Sequence, residues 1–205
     1  MAIFGGTFDP FHRAHERLCR AVLAEPEVDQ LRLVPCQIPA LKGAASASAE
    51  QRLAMLEAWI DDQNQGDRLV VDRQELDRPG PSYTVDTLKA LRLEYPQWQP
   101  VFVMGADSFA SLPRWEGAQE LMTQTHFWVF GRGHDRVKDT ALPLRAVDSL
   151  SEFQQQSAGL WLAGPSSDSD LASSQLRRVN PGYWREDTPT AIFNYIQQHH
   201  LYQES

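Results

Sequence analysis

The sequence has little positive charge. Lys and Arg together number 19, against 27 Asp and Glu, so the formal net charge is −8. Nucleic-acid polymers are bound through clustered positive charge, so this balance argues against such a polymer as the main partner. A small phosphorylated ligand needs only a few local donors and stays compatible with the composition.

Cysteine and long apolar runs are also scarce. The two cysteines, Cys19 and Cys36, show no CxxC or Cys/His metal spacing, which predicts reduced thiols in a cytosolic protein. The opening MAIFGGTFDP has no basic region and no long apolar run, so it does not read as a signal peptide. No apolar stretch is long enough to cross a bilayer. We therefore expect a cytoplasmic protein with no membrane partner.

What is present is an alternation of short β-rich runs with helical patterns. The predicted strands are Ala2–Phe4, Leu31–Val34, Leu69–Asp72, Val101–Met104, Phe127–Phe130 and Leu160–Ala163. The predicted helices are His15–Ala24, Glu50–Asp61, Tyr83–Tyr95, Ser173–Val179 and Thr190–His199. Apolar strands that alternate with helices predict an α/β fold, a doubly wound Rossmann-like parallel sheet with helices on both faces.

The domain organisation follows from length and pattern. A chain of 205 residues suits one sizeable domain, and we expect a single unit over 1–205 with a small C-terminal helical portion from about 165. The segment Asp135–Gly159 is the least patterned, and we predict a mobile or variable stretch there.

The most distinctive segment is GGTFDPFHRAH, residues 5–15. It predicts a strand that ends in Gly5 and Gly6, a tight turn, and a helix start. The glycines let the backbone approach a ligand, and the helix N-terminus suits phosphate. His12 and His15 fall on one side of the first helical turn, where both can donate to an anion. From these residues alone, a plain turn, a surface histidine pair or a metal-binding pair stays open.

In that strand–turn–helix context, GGTFDPFHRAH resembles the N-terminal signature of bacterial nicotinate mononucleotide adenylyltransferases. More broadly, it resembles the nucleotidyltransferases with a paired-histidine motif. Four further segments resemble the family in the same order along the chain: PSYTVDTL (81–88), GADSFASLPRW (105–115), ASSQLR (172–177) and TPTAIFNYIQQHHLY (188–202). The first motif indicates the superfamily, and the second and third favour its pyridine-nucleotide branch.

The resemblance implies a reaction. AMP would pass from ATP to nicotinate mononucleotide, giving nicotinate adenine dinucleotide and pyrophosphate in NAD biosynthesis. Mg²⁺ would bridge the ATP phosphates without a metal site made by the protein, and the partners would be small-molecule nucleotides. Homo-oligomerisation stays open. Two alternatives remain: a related transferase with another acceptor (nicotinamide mononucleotide or phosphopantetheine), and a non-catalytic nucleotide-binding protein.

The resemblance also implies roles for individual residues. The catalytic residues would be His12, His15 and Arg177. ATP would be bound by Gly5, Gly6, Thr7, Phe8, Asp107 and Ser174. The pyridine nucleotide would be bound by Lys42, Thr84, Trp115 and Arg132. Taken singly, Asp107 also suits a helix N-cap, Trp115 a core aromatic, and Lys42 or Arg132 a solvated charge. Asp9 braces the turn, closes an Asx-turn before Pro10 or contacts the ligand, and these alternatives stay open.

The chain departs from the family pattern at five positions. Ala14 stands in place of a glycine, Leu41 of a histidine, Ala172 of a serine, Ser174 of a threonine, and Glu116 of an aromatic residue. We expect the extra methyl of Ala14 to lower ATP affinity. A Glu116 carboxylate that faced the pocket would disfavour an acidic pyridine, so the acid-versus-amide preference stays open.

Overall fold

A seven-stranded, fully parallel sheet forms the centre of the molecule. The computed structural model describes residues 1–41, 43–131, 137, 140–166 and 171–203. The sheet order is β4-β2-β1-β6-β7-β9-β8, and a separate two-stranded parallel sheet pairs β3 with β5. The strands are β1 Ala2–Gly6, β2 Leu31–Pro35, β3 Ile38–Pro39, β4 Leu69–Val71, β5 Pro81–Ser82, β6 Val101–Gly105, β7 His126–Phe130, β8 Arg145–Val147 and β9 Leu160–Ala163.

Helices cover both faces of this sheet, which confirms the predicted Rossmann-like fold. They are α1 Arg13–Ala24, α2 Ala49–Gln63, α3 Thr84–Glu94, α4 Ala106–Ser111, α5 Ala118–Gln124, α6 Ser173–Leu176 and α7 Thr190–Gln198. Short 3-10 helices occupy Gly66–Arg68, Leu112–Arg114, Leu150–Gln155 and Pro181–Tyr183. No helix within the described residues is long and apolar enough to cross a membrane.

The core consists of two apolar layers, one on each face of the sheet. Successive residues of β1 point to opposite layers: Phe4 joins the cluster that includes residues of α1, α2 and α7, and Ile3 joins the cluster of α3 and α5. Ile3 is completely buried. Strands covered on both faces need apolar side chains at every position, which is why they appear in the sequence as continuous apolar runs.

The chain reverses its direction across the sheet between β1 and β6. From β1 it proceeds to β2 and β4 on one side, and then returns to β6 on the other side. Beyond the carboxyl ends of the two strands that flank such a reversal, open sheets form a crevice. Here the crevice lies between the residues after Gly6 and those after Gly105.

Besides the two-residue strands β3 and β5 and the other short 3-10 helices, the sequence prediction missed α4, α5, β8 and the 3-10 helix Leu150–Gln155. Two of them, an edge strand and a helical turn, lie within the segment that the sequence predicts to be mobile or variable. β8 has three residues, of which only Val147 is buried, so it is too short to show a period of two. Phe153 anchors the following turn by stacking on His126 at 4.6 Å between ring centroids.

Candidate active site

The first turn, residues 5–12, joins β1 to α1. His12 is the N-cap of α1 and is buried, and its backbone N–H donates to Nδ1 of His15 over 3.2 Å. The two imidazoles stack, with ring centroids 3.8 Å apart. Because Nδ1 of His15 accepts this bond, the neutral ring carries its proton on Nε2. The two histidines thus lie side by side at the start of the helix.

The glycines of the first turn make room for aromatic rings of the protein itself. A Cβ atom on Gly6 would stand 2.9 Å from the ring of Phe8, and one on Gly5 would stand 3.3 Å from the ring of Phe102. Phe8 has a φ of 51° and is buried, so the turn folds its side chain beneath the backbone. Close packing of these rings, in addition to any ligand, therefore favours glycine at both positions, more strongly at Gly6 than at Gly5.

A cleft of about 860 Å³ opens above the first turn. Its lining includes nine of the predicted site residues, which come from three separate segments: Gly5, Gly6, Thr7, Phe8, His12, His15, Asp107, Ser174 and Arg177. Asp107 is the second residue of α4, whose N-cap is Gly105, so the interpretation of Asp107 as an N-cap is wrong. The fold thus gathers the predicted catalytic and ATP-binding residues at the crevice of the sheet.

Asp9 braces the first turn against the segment before α2. Its side chain is buried, and its two oxygens accept hydrogen bonds from the backbone N–H groups of Ser46 and Ala47 over 2.8 and 3.0 Å. Tyr202, near the end of the chain, donates its hydroxyl to the same carboxylate over 2.8 Å. The donors come from distant segments, so Asp9 has the bracing role and not that of an Asx-turn before Pro10.

Arg52 is a buried arginine that the sequence interpretation missed. Its guanidinium donates to the backbone carbonyls of Thr7 over 2.8 Å, Gln37 over 3.2 Å and Ala47 over 3.3 Å. A buried charge requires such partners, and these three join the first turn to two neighbouring loops. A charged residue within the apolar stripe of α2, four residues after its N-cap Ser48, was the only sequence signal.

Arg177 ends α6 and reaches the first turn from the other side of the cleft. It donates to the carbonyl of Asp9, and its Nη1 lies 3.4 Å from the Asp9 carboxylate. Its side chain is still 31% exposed and lines the cleft. Arg178, which the sequence could not distinguish from Arg177, is exposed and is not part of the lining.

Two residues predicted to bind the pyridine ring lie outside this lining. Thr84 is the first residue of α3 and is half-buried. Trp115 is half-buried, donates its Nε1 to the hydroxyl of Ser111 over 3.0 Å, and meets Phe102 edge to face. The two regions are neighbours, because a Cβ on Gly117 would stand 3.0 Å from the Val85 methyls. They form a second group beside the cleft, and their role stays a prediction.

Two further predicted residues, Lys42 and Arg132, lie outside the described residues. Of the departures from the family pattern, Ala14, Ala172 and Ser174 line the cleft. Leu41 and Glu116 are exposed and do not contribute to its lining.

A buried carboxyl group supports the start of α3. Glu75 is 6% exposed and accepts a hydrogen bond from the hydroxyl of Thr87 over 2.5 Å. Burial raises the pKa of the Glu75 carboxyl above its usual value, against the lowering effect of bonds from Thr87 and Ser82. Ser82 also accepts from the backbone N–H of Gln37, which ties β5 to the loop after β2. The sequence contained no signal for this network.

The site has the donors for a phosphate but few ligands for a metal. Within the part of the chain that the structure describes, no three or more His, Cys, Asp or Glu side chains form a metal-binding group. Magnesium commonly takes oxygen ligands from substrate phosphates and keeps several waters. A magnesium ion that enters the cleft with a triphosphate fits this arrangement, since the phosphates bring their own oxygens.

Four features together define a nucleotidyltransferase. They are a parallel sheet with its crevice at the chain reversal, a glycine-containing turn that leads into a helix, a pair of histidines at the start of that helix, and an arginine that faces them. The comparison with family models agrees, since the cytidylyltransferase-like family matches residues 3–179.

Relatives that match most of the chain identify the family within this class of enzymes. A protein of Marinomonas sp. (strain MWYL1) named "Probable nicotinate-nucleotide adenylyltransferase" is 44% identical, over 98% of this chain and 94% of its own. A protein of the same name from Marinobacter nauticus is 39% identical, and the match covers 86% of this chain and 83% of that protein. The chain therefore belongs, within the cytidylyltransferase-like family, to the nicotinate-nucleotide adenylyltransferases, and the resemblance found in its motifs is confirmed.

A solved structure shares the fold. Plasmodium falciparum nicotinic acid mononucleotide adenylyltransferase complexed with NaAD has a TM-score of 0.74 at 19% identity, and the match covers 98% of this chain and 96% of that one.

Proposed function

We propose that this chain transfers the AMP part of ATP to nicotinate mononucleotide, and so makes nicotinate adenine dinucleotide and pyrophosphate in NAD biosynthesis. The observation that carries the proposal is the cleft, where the first turn with His12, the adjoining His15, Asp107 and Arg177 come together from three segments of the chain. The names of the full-length relatives support nicotinate mononucleotide as the acceptor.

The reaction needs no nucleophilic side chain. The phosphate of a mononucleotide has a second pKa of about 6, so it is largely dianionic near neutral pH. One of its oxygens attacks the α-phosphorus of ATP in line. The new O–P bond forms as the bond from the α-phosphorus to the bridging oxygen breaks, and pyrophosphate leaves with that electron pair. Catalysis then consists of positioning and charge neutralisation.

Each side of the cleft supplies part of this chemistry. His12 and His15 would donate to the oxygens of the transferring α-phosphate, where preorganised donors stabilise developing charge. Arg177 would bind the leaving pyrophosphate through its forked guanidinium. Gly5, Gly6, Thr7 and Phe8 would contribute backbone contacts to the triphosphate. Asp107 would accept a ribose hydroxyl, and Ser174 would bond a phosphate oxygen.

Bound Mg²⁺ would supply further charge neutralisation, held by phosphate oxygens of ATP. The acceptor nucleotide would lie beside the cleft, with its pyridine ring stacked on Trp115 and its carboxylate bonded by Thr84 and nearby amides. Lys42 and Arg132 would bind its phosphate. The Glu75 network would hold α3, and therefore Thr84, at a fixed distance from the first turn.

A reducing, cytoplasmic environment is the setting we propose for this reaction. Cys19 and Cys36 are both buried free thiols. Burial raises the pKa of each thiol, so neither is a reactive thiolate near neutral pH.

Transfer of a label tests the proposal directly. The purified chain would be incubated with Mg²⁺, nicotinate mononucleotide and ATP labelled at the α-phosphate, and the products would be separated. We expect the label in nicotinate adenine dinucleotide in equal amount to the pyrophosphate released. Label that stays in ATP, or that appears only in AMP, would contradict the proposal, and ATP that binds without reacting would favour the non-catalytic alternative.

A further inference from the structure

The last described turn of the chain folds back onto the first turn. After α7, His200 and Tyr202 have positive φ angles of 51° and 61°, and the backbone N–H of Leu201 donates to the carbonyl of Ile196 over 3.0 Å. The ring of Tyr202 packs against Trp184, with ring centroids 5.2 Å apart. This tight reversal brings the Tyr202 hydroxyl to Asp9, 193 residues earlier in the chain.

The Asp9 carboxylate accepts hydrogen bonds from several donors. Tyr202 and the N–H of Ala47 bond one oxygen over 2.8 and 3.0 Å, and the N–H of Ser46 bonds the other over 2.8 Å. Arg177 approaches that second oxygen at 3.4 Å. In a buried site, each hydrogen bond that the carboxylate accepts from a neutral donor weakens its attraction for the Arg177 guanidinium.

The Tyr202 hydroxyl keeps the proton that it donates to Asp9 over the whole pH range in which the protein works. Burial, and then the negative charge of Asp9, raise the pKa of the Tyr202 hydroxyl far above its usual value. The hydroxyl therefore keeps its proton and donates it to Asp9. If this donor is lost, the carboxylate has one bond fewer, and its attraction for the Arg177 guanidinium becomes stronger.

We propose that Tyr202 is a positioning residue that acts through Asp9: its hydroxyl bond to the carboxylate keeps part of the Arg177 fork in the cleft, available to the leaving pyrophosphate. This rests on the proposed function, in which Arg177 binds pyrophosphate. The C-terminal turn would thereby set the affinity for the leaving group.

Tyr202→Phe removes one oxygen atom and is the sharpest test. Tyr183→Phe is the matched control, because Tyr183 is also in the C-terminal portion but is 77% exposed. Calorimetric titration with pyrophosphate would measure binding without turnover. We expect Tyr202→Phe to weaken pyrophosphate binding about tenfold, the size typical of one hydrogen bond to a charged group, with Tyr183→Phe unchanged. The kcat of dinucleotide synthesis should fall by a similar factor, and KM for nicotinate mononucleotide should stay the same.

A double-mutant cycle distinguishes positioning from a general structural effect. In an Arg177→Ala background, Tyr202→Phe should change pyrophosphate binding by less than about twofold, because its effect passes through the arginine. An equal effect in both backgrounds, unchanged binding in Tyr202→Phe alone, or a Tyr202→Phe chain that does not fold would overturn the proposal. A wild-type chain that binds pyrophosphate but makes no dinucleotide would instead count against the proposed function, and the binding comparison would still decide the role of Tyr202.

Discussion

The two sides of the proposed site are built differently. The ATP side is a single turn, residues 5–12, which Arg52 and Arg177 contact and which its own Asp9 ties to the segment before α2. The acceptor side consists of Thr84 and Trp115, which belong to separate elements and lie beside the cleft. Stabilising charge in a transition state requires donors at fixed positions, so heavy bracing suits the ATP side. Holding a planar ring requires less, and two half-buried residues can provide it, one of them at the start of the helix that the Glu75 network supports.

The largest expected effect is on the ATP side. His15→Ala should lower kcat by about 100-fold or more, typical of the loss of one preorganised donor. Steady-state release of pyrophosphate would measure it, with His199→Ala, an exposed histidine at the end of α7, as the matched control. A folded His15→Ala chain with unchanged turnover would remove His15 from the chemistry and would break the contrast between the two sides.

The next effect should be confined to the acceptor side. Trp115→Ala should raise KM for nicotinate mononucleotide about tenfold through the loss of ring stacking, and should leave KM for ATP unchanged. The control is Trp98→Ala, because Trp98 follows α3 and stacks on Tyr95 at 5.0 Å, at the opposite end of that helix from Thr84. An equal rise in both KM values would show that Trp115 supports the fold and not the pyridine ring.

A smaller effect tests a departure from the family pattern. Ala14 lines the cleft, and Ala14→Gly removes its methyl group. We expect KM for ATP to fall about threefold, the size of one methyl contact, with KM for nicotinate mononucleotide unchanged. The comparison of both KM values in one preparation provides the control. A higher KM for ATP would mean that the methyl contacts the nucleotide favourably.

The smallest effect on activity is expected for a change at His126, which lies at the end of the sheet away from the cleft and should affect stability instead. His126 accepts from the N–H of Leu160 through Nδ1 over 3.2 Å, and burial lowers the pKa of its ring. The unfolded chain, with a histidine pKa near 6.5, therefore binds the proton more readily than the folded chain. The contribution of His126 to the free energy of unfolding should be complete above about pH 6.5 and decrease as the pH falls below it.

Denaturant unfolding between pH 5 and 8 would measure this, with His126→Gln for comparison. The variant should be less stable at pH 8 and should lose less stability on acidification, while both KM values stay close to those of wild type. A steeper loss in the variant would contradict the assigned direction of the pKa shift.

The same contrast between the two sides explains how far the sequence could predict the structure. The segment GGTFDPFHRAH is contiguous, so eleven letters were enough to predict that its glycines and histidines belong to one site. The six predicted strands were recognisable because strands buried on both faces must be apolar throughout. β8 and α5 were missed, since short elements contain too few residues to show a period.

The supports of the site could not be predicted, because they depend on contacts between distant residues. Arg52 meets Thr7 across 45 positions, and Tyr202 meets Asp9 across 193. Glu75 is an ordinary acidic residue in the sequence, and only the fold shows that it is buried against Thr87. A sequence pattern can reveal which residues carry the chemistry, but the residues that hold them in place become visible only in three dimensions.

The measurement that tests the central claim most directly is pyrophosphate release by the purified chain with ATP and Mg²⁺. Nicotinate mononucleotide, nicotinamide mononucleotide and phosphopantetheine would be compared as acceptors. The account predicts rapid release with nicotinate mononucleotide, much slower release with the amide, and none above background with phosphopantetheine. Faster release with either of the other acceptors, or no release with any of the three, would contradict it.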